Sequence, residues 1–153
     1  MAGVTATCGK TCCGKSYFAR ELQRSRGGVI LSCDELTLMF PEVEHDWLLP
    51  AVKQYLLKKS LEITAAGADV ILDWGLWQRS ERDQLRSFFS EHGVPFRIVY
   101  LEVPDVQRRE FIARRNAAVK SGEVQAYIID EGLEQKLNAL FEPPEPDENI
   151  DRL

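Results

Sequence analysis

The 153-residue chain has little that would tie it to a membrane, to bulk nucleic acid or to a zinc site. No apolar run approaches the length needed to cross a bilayer, and nothing near Met1 reads as a signal peptide. Lys and Arg number 19 against 24 Asp and Glu, a formal charge of −5. Surfaces that bind nucleic acid in bulk usually show a basic excess instead, so nucleic acid is disfavoured as a partner and no membrane partner is expected. Only four cysteines and two histidines are present, and none has zinc-finger spacing. Reduced thiols in a cytoplasmic protein are the expectation. No repeat or low-complexity segment appears. The length suits a single domain, 1–153, with one core, and is too short for two.

What is there is concentrated near the start. Gly9-Lys10-Thr11-Cys12-Cys13-Gly14-Lys15-Ser16 is a complete G-x-x-x-x-G-K-[ST] phosphate-binding loop. Glycines let such a loop curl so that successive backbone N–H groups face an anion, the lysine reaches the β/γ oxygens, and the hydroxyl can ligate Mg²⁺. Sliding the frame to Gly9-Lys10-Thr11 would need glycine at position 4, which is Val4. The context is also right, with the apolar Val4–Cys8 before the loop and a helix-like run from Ser16 and Tyr17 after it. Cys12 and Cys13 are expected to contribute mainly N–H groups, with thiolate character promoted by Lys15 and the helix start.

Beyond the loop, apolar runs alternate with helical patterns. Val29–Ser32, Val70–Asp73 and Phe96–Leu101 read as strands. Helices are predicted from about Pro50 to Ala66, from Ser80 to His92, from Asp105 to about Val119 and from Asp130 to Leu140. Continuous apolar strands separated by helices imply a parallel sheet covered on both faces, with ligands at the carboxyl ends of the strands. A lid is expected at about 115–130. The acidic, Pro-rich tail 141–153 shows no obvious strand, so it either leaves one sheet edge open or covers it.

Two strand-end carboxylates carry the chemistry. Asp73 is placed to hold Mg²⁺ opposite Ser16. Asp34, just past the second strand, either meets an acceptor hydroxyl or caps the turn that follows. Phosphoryl transfer also needs charge neutralisation, and the helix containing Arg108, Arg109, Arg114 and Arg115 supplies candidates. Arg115 and Asn116 lie nearest the lid, whereas a solvated face is expected for most of the other arginines. Trp74 and Trp77 could line an acceptor pocket, with Gly75 allowing close approach of a ligand, or belong to the core. His45 reads as a surface-loop residue, and His92 as a helix-end histidine favoured by the dipole.

Taken together, Gly9 to Ser16, Leu31–Glu35, Val70–Gly75 with Arg79 and Arg82, Arg115-Asn116 and Phe141–Pro144 resemble small P-loop kinase-like ATP-binding proteins of the AAA/zeta-toxin-like type. The resemblance spans nearly the whole chain. It implies a three-layer α/β P-loop NTPase fold with a small helical lid. Because no apolar strand follows the last helix, a sheet of about four strands in order 2-3-1-4 is expected, where larger nucleoside kinases have five. The resemblance implies an ATP-dependent phosphotransferase that uses Mg²⁺ and moves the γ-phosphate to a hydroxyl of a small-molecule acceptor. In that frame Lys15, Asp34 and Arg115 are catalytic. The nucleotide, ATP or ADP, is held by Gly9, Lys10, Thr11, Cys12, Cys13, Gly14, Lys15, Ser16, Tyr17, Arg115 and Asn116, and the metal by Ser16 and Asp73. A regulatory ATPase without an acceptor and a polynucleotide 5′-hydroxyl kinase are the alternatives.

Overall fold

In the computed structural model, which describes residues 1–153, the elements follow in the order β1 (Val4–Cys8), α1 (Lys15–Arg26), β2 (Val29–Ser32), α2 (Cys33–Thr37), α3 (His45–Ala65), β3 (Val70–Asp73), α4 (Arg79–Glu91), β4 (Phe96–Tyr100), α5 (Asp105–Lys120), α6 (Glu131–Leu140) and β5 (Asp151–Arg152). The sheet is parallel and its strand order is β2-β3-β1-β4-β5. It therefore has five strands, not four. The fifth is only two residues long and polar, Asp151 and Arg152 pairing with Val99 and Tyr100, so it carries no apolar signal. The tail thus covers the sheet edge by joining it.

Alternate residues of the central strands point to opposite faces. Val4, Ala6 and Cys8 of β1 join Val70, Leu72, Ile98 and Tyr100 in one core, which Val52 and Leu56 of α3 and Leu85 and Phe89 of α4 cover. On the other face α1 packs against β1, β2 and β3 and buries Ala19 completely. Both faces being occupied explains why the strands read as unbroken apolar runs.

Two expectations shift. The third helix begins at His45, five residues before Pro50, and Pro50 lies inside it. Proline there lies in the second turn, where it forgoes the one ladder bond to the Asp46 carbonyl. The chain after β2 is not a plain connection but the short helix α2, capped by Ser32, whose hydroxyl accepts from the Glu35 N–H at 3.4 Å. Asp34 is therefore not the cap, and its carboxylate is left for other work.

Candidate functional site

The loop Gly9 to Ser16 turns sharply from β1 into α1. A Cβ on Gly9 would lie 2.5 Å from the Cys13 sulfur and 2.7 Å from the Leu101 carbonyl oxygen, so only glycine fits. Gly14, at φ 91°, is the residue before α1, and Cys12 also adopts a left-handed φ of 56°. The Lys15 ammonium folds back over the loop, donating to the carbonyls of Gly9 at 3.0 Å and Lys10 at 2.5 Å, with the Cys13 sulfur at 3.7 Å. Tyr17 is exposed in the first turn of α1.

The Ser16 hydroxyl donates to Oδ2 of Asp73 at 2.7 Å. That closeness is built by the strands beneath. Thr7, completely buried, donates to the Trp74 carbonyl at 2.8 Å and accepts from the Trp74 N–H at 3.1 Å, while the Gly9 N–H donates to the Gly75 carbonyl at 3.0 Å. β1 thereby braces the chain immediately after Asp73 and aims its carboxylate at α1. Thr7 escaped notice in the sequence because an alternating threonine in an apolar strand looks like any β-branched filler.

A hydroxyl and a carboxylate oxygen fit a hard divalent cation such as Mg²⁺. No group of three or more His, Cys, Asp or Glu side chains gathers anywhere in the chain. The remaining ligands would have to be phosphate oxygens and water, the usual habit of Mg²⁺.

Asp34 is solvent-accessible in the first turn of α2. Partial loss of hydration against the surrounding protein raises its carboxyl above the ordinary value, opposed by the nearby positive charge of Arg115, His45 and Lys15 and reinforced by Asp73. Those groups converge on one rim from α1, β3, α3 and α5. His45 is thus no loop residue. It begins α3, and its ring meets Tyr127 edge-on at 5.3 Å. Tyr127 in turn donates to Thr37 Oγ1 at 2.8 Å, closing residues 121–130 down beside Asp34.

Arg115 points to the loop tip, its guanidinium 3.6 Å from the Cys12 sulfur. Asn116 does not join it. Its amide donates to the Ile129 carbonyl at 2.7 Å and accepts from the Ile129 N–H at 2.9 Å, so it shapes the 121–130 segment. Arg109 and Arg114 are exposed, but Arg108 is only 1 % exposed, against the expectation of a solvated face.

The remaining candidates fall to packing. Trp74 is buried in the core and Trp77 packs against it, and a Cβ on Gly75 would sit 2.2 Å from the Trp77 ring nitrogen. The glycine makes room for that indole rather than for a ligand. His92 ends α4, one ring nitrogen 2.7 Å from the Phe88 carbonyl. All four cysteines are free. Burial pushes the Cys8 thiol up to about 11 and the Cys33 thiol up to about 12, which leaves both inert.

A parallel sheet whose first strand runs through the Gly9 to Ser16 loop into α1, with Ser16 bonded to the strand-end Asp73, defines a P-loop NTPase fold. The chain belongs to the AAA domain family, whose model matches residues 4–142. Its fold is similar to a gluconokinase from Sinorhizobium meliloti 1021 (18 % identity, 99 % of this chain and 81 % of that one, TM-score 0.66). It is similar also to Chaetomium thermophilum Kti12 in complex with ADP-AlF3 (16 % identity, 98 % and 88 %, TM-score 0.72). A third structure, a sugar kinase from Janibacter sp., shares 16 % identity over 100 % of this chain and 84 % of that one, with a TM-score of 0.68. At these identities the likeness is one of fold. No curated protein matches the sequence significantly. No helix is long and apolar enough to cross a membrane.

Proposed function

We propose that this chain is an ATP-dependent phosphotransferase, acting as a single cytoplasmic domain, that moves the γ-phosphoryl group to a hydroxyl of a small-molecule acceptor. The observation that carries the reading is the placement of Asp34 on the same rim as Lys15, Asp73 and Arg115, all of which act on its carboxyl. A binding module needs only the loop, whereas transfer needs a group facing the acceptor as well.

In this reading the loop N–H groups and Lys15 hold the β/γ-phosphates, and Lys15 exchanges its two loop carbonyls for phosphate oxygens. Ser16 and Asp73 would hold Mg²⁺, which when bound neutralises phosphate charge. Asp34 orients the acceptor hydroxyl and takes its proton as the oxygen bonds to the γ-phosphorus and the bond to the departing ADP oxygen breaks. A carboxyl raised by its surroundings and held near cations suits that task, because a raised carboxylate is a better proton acceptor than an ordinary one. Arg115 lies where charge on the migrating group would develop. Tyr127, bonded to Thr37, ties the 121–130 segment to the short helix that carries Asp34, which favours a small acceptor. It also gives the second reading, a regulatory ATPase without an acceptor, its one support.

The test is a metabolite-pool phosphorylation screen with γ-labelled ATP. The intact chain should label an acceptor, Lys15→Ala should lose both labelling and ADP binding, and Asp34→Asn should bind ADP normally while labelling falls by roughly two orders of magnitude or more. Undiminished labelling by Asp34→Asn would remove the carboxylate from the reaction. ADP binding and ATP hydrolysis without any labelled product would favour the regulatory reading.

A further inference from the structure

Three successive residues of the loop tip are held by one helix. Lys10 pairs with Asp105 at 3.6 Å, the Thr11 carbonyl accepts from Arg108 at 3.5 Å, and the Cys12 sulfur faces Arg115 at 3.6 Å. Of the three partners on α5, only Arg108 is fully buried, at 1 % exposure. Burying a guanidinium is expensive unless its charge and donors are met. Here the charge is met by Asp105 at 3.3 Å, in the same helix, and by Glu134 of α6 at 3.2 Å, while Nε has no partner at all. Simple structural economy would have placed an apolar residue at this position, and the contact that economy does not explain is the one to Thr11.

We propose that Arg108 is a positioning residue for the phosphate loop, turning the Thr11–Cys12 peptide so that the Cys12 N–H faces the loop's interior. In a trans peptide the C=O and N–H point in opposite directions. A Thr11 carbonyl directed at Arg108 therefore sends the Cys12 N–H away from α5. Cys12, at φ 56°, is in a conformation that a non-glycine residue holds only when its surroundings impose it. Arg108 supplies that imposition, while Asp105 and Glu134 balance its buried charge. The inference rests on the reading of Gly9 to Ser16 as a nucleotide site, but not on any acceptor.

The experiment measures ADP affinity by calorimetry in the presence of Mg²⁺, with Lys15→Ala as the control for loop binding, and thermal stability alongside. Arg108→Met should weaken ADP binding roughly tenfold, the effect of losing one charge-assisted hydrogen bond. Arg108→Lys keeps a charge for Glu134, yet one ammonium cannot serve Glu134 and Thr11 as the fork does. It should fold even if the methionine variant does not, and should still weaken ADP several-fold. Glu134→Gln disturbs the ion pair and leaves the Thr11 contact, so it should lower the melting temperature while ADP affinity stays within about twofold. ADP binding by both Arg108 variants equal to the unmodified chain, or an equal loss of affinity in Glu134→Gln, would overturn the positioning role alone. An unmodified chain that binds no ADP would overturn the nucleotide reading and this inference with it.

Discussion

Helices α4 and α5 each bury one arginine, and they use it in opposite ways. Arg82 of α4 is completely buried, with Nε and Nη2 bonded to the two carboxylate oxygens of Glu148 at 2.7 and 3.0 Å. Its Nη1 donates to the carbonyls of Leu76 and Glu142, both at 3.0 Å. Arg108 of α5 makes no contact shorter than 3.2 Å and leaves Nε unpartnered. The first guanidinium is consumed by the fold. The second is stretched between two helices and a loop, which is the geometry of a group that holds something in place. Satisfaction of donors, rather than burial, separates a structural arginine from a positioning one.

What Arg82 holds is the tail. Glu148 also accepts from Arg86 at 3.3 Å and from the Glu145 N–H at 2.7 Å, and Arg79 grips Asp147 at 2.7 Å and Glu145 at 3.2 Å. Phe141 is buried in the core, and Arg152 stacks over Tyr100 at 5.3 Å. Glu145, Asp147 and Glu148 of the tail are thus the counter-charges of α4. They deliver β5 to the sheet edge.

The largest effect should come from breaking this pair. Arg82→Met leaves the buried Glu148 with only the longer Arg86 contact, at 3.3 Å, as counter-charge and should cost about 3 kcal/mol of stability, read as a lower denaturation midpoint, while ADP affinity of the folded protein stays unchanged. Replacing both partners with apolar residues should recover much of the loss, since a buried pair and its apolar substitute are often equivalent. A double variant as unstable as the single one would mean that Arg82 acts through its carbonyl contacts instead.

Acid should attack the same pair. The hydrogen bonds from Arg82, with those from the Glu145 N–H and Arg86, hold the Glu148 carboxyl down at about 2, below its ordinary 4.5. A group whose value is depressed on folding stabilises the fold above its unfolded value, and that contribution disappears as pH falls through the folded one. Stability should therefore drop between about pH 4.5 and pH 2 by a few kcal/mol. Glu148→Gln, less stable at neutral pH, should show a flatter profile across this window, and an unchanged slope would assign the acid loss to other carboxylates.

The contrast between the two helices also explains what could be read from the sequence. The loop was legible because phosphate geometry dictates the identity of consecutive residues, Gly9 to Ser16. Asp73 was legible because it ends an apolar strand on the same edge. Asp34 was placed at that edge correctly, but α2 beneath it was not seen, being five residues long with little periodicity. Arg82 and Arg108 could not be told apart because their partners are remote in sequence. Glu148 lies 66 residues from Arg82, and Glu134 lies 26 residues from Arg108. Helical spacing puts Arg108, Ile112 and Arg115 on one side of α5, and Arg108 and Ile112 are both buried. Periodicity gives the side a residue faces, whereas the neighbours that decide its role come only from the fold. The fifth strand was hidden for the same reason, since its register depends on a clamp assembled from α4 and the tail.

The smallest of these effects should distinguish two arginines on one helix. Arg108 and Arg115 are seven residues apart and both reach the loop tip, but Arg115 is only half-buried and its one contact, with the Cys12 sulfur, is weak. A weakly engaged guanidinium beside the loop is free to shift its interactions to a group that becomes more charged as the reaction proceeds. Groups of that kind contribute more to the transition state than to the ground state, so their removal lowers kcat with little change in KM. On the proposed reading Arg115→Lys should therefore reduce kcat by about 10- to 100-fold and leave ADP affinity nearly intact. Arg108→Lys should raise the KM for ATP and leave kcat close to its original value. If the two substitutions produced the same split, α5 would present a single electrostatic surface to the loop, and the division between a positioning arginine and one that answers developing charge would not hold.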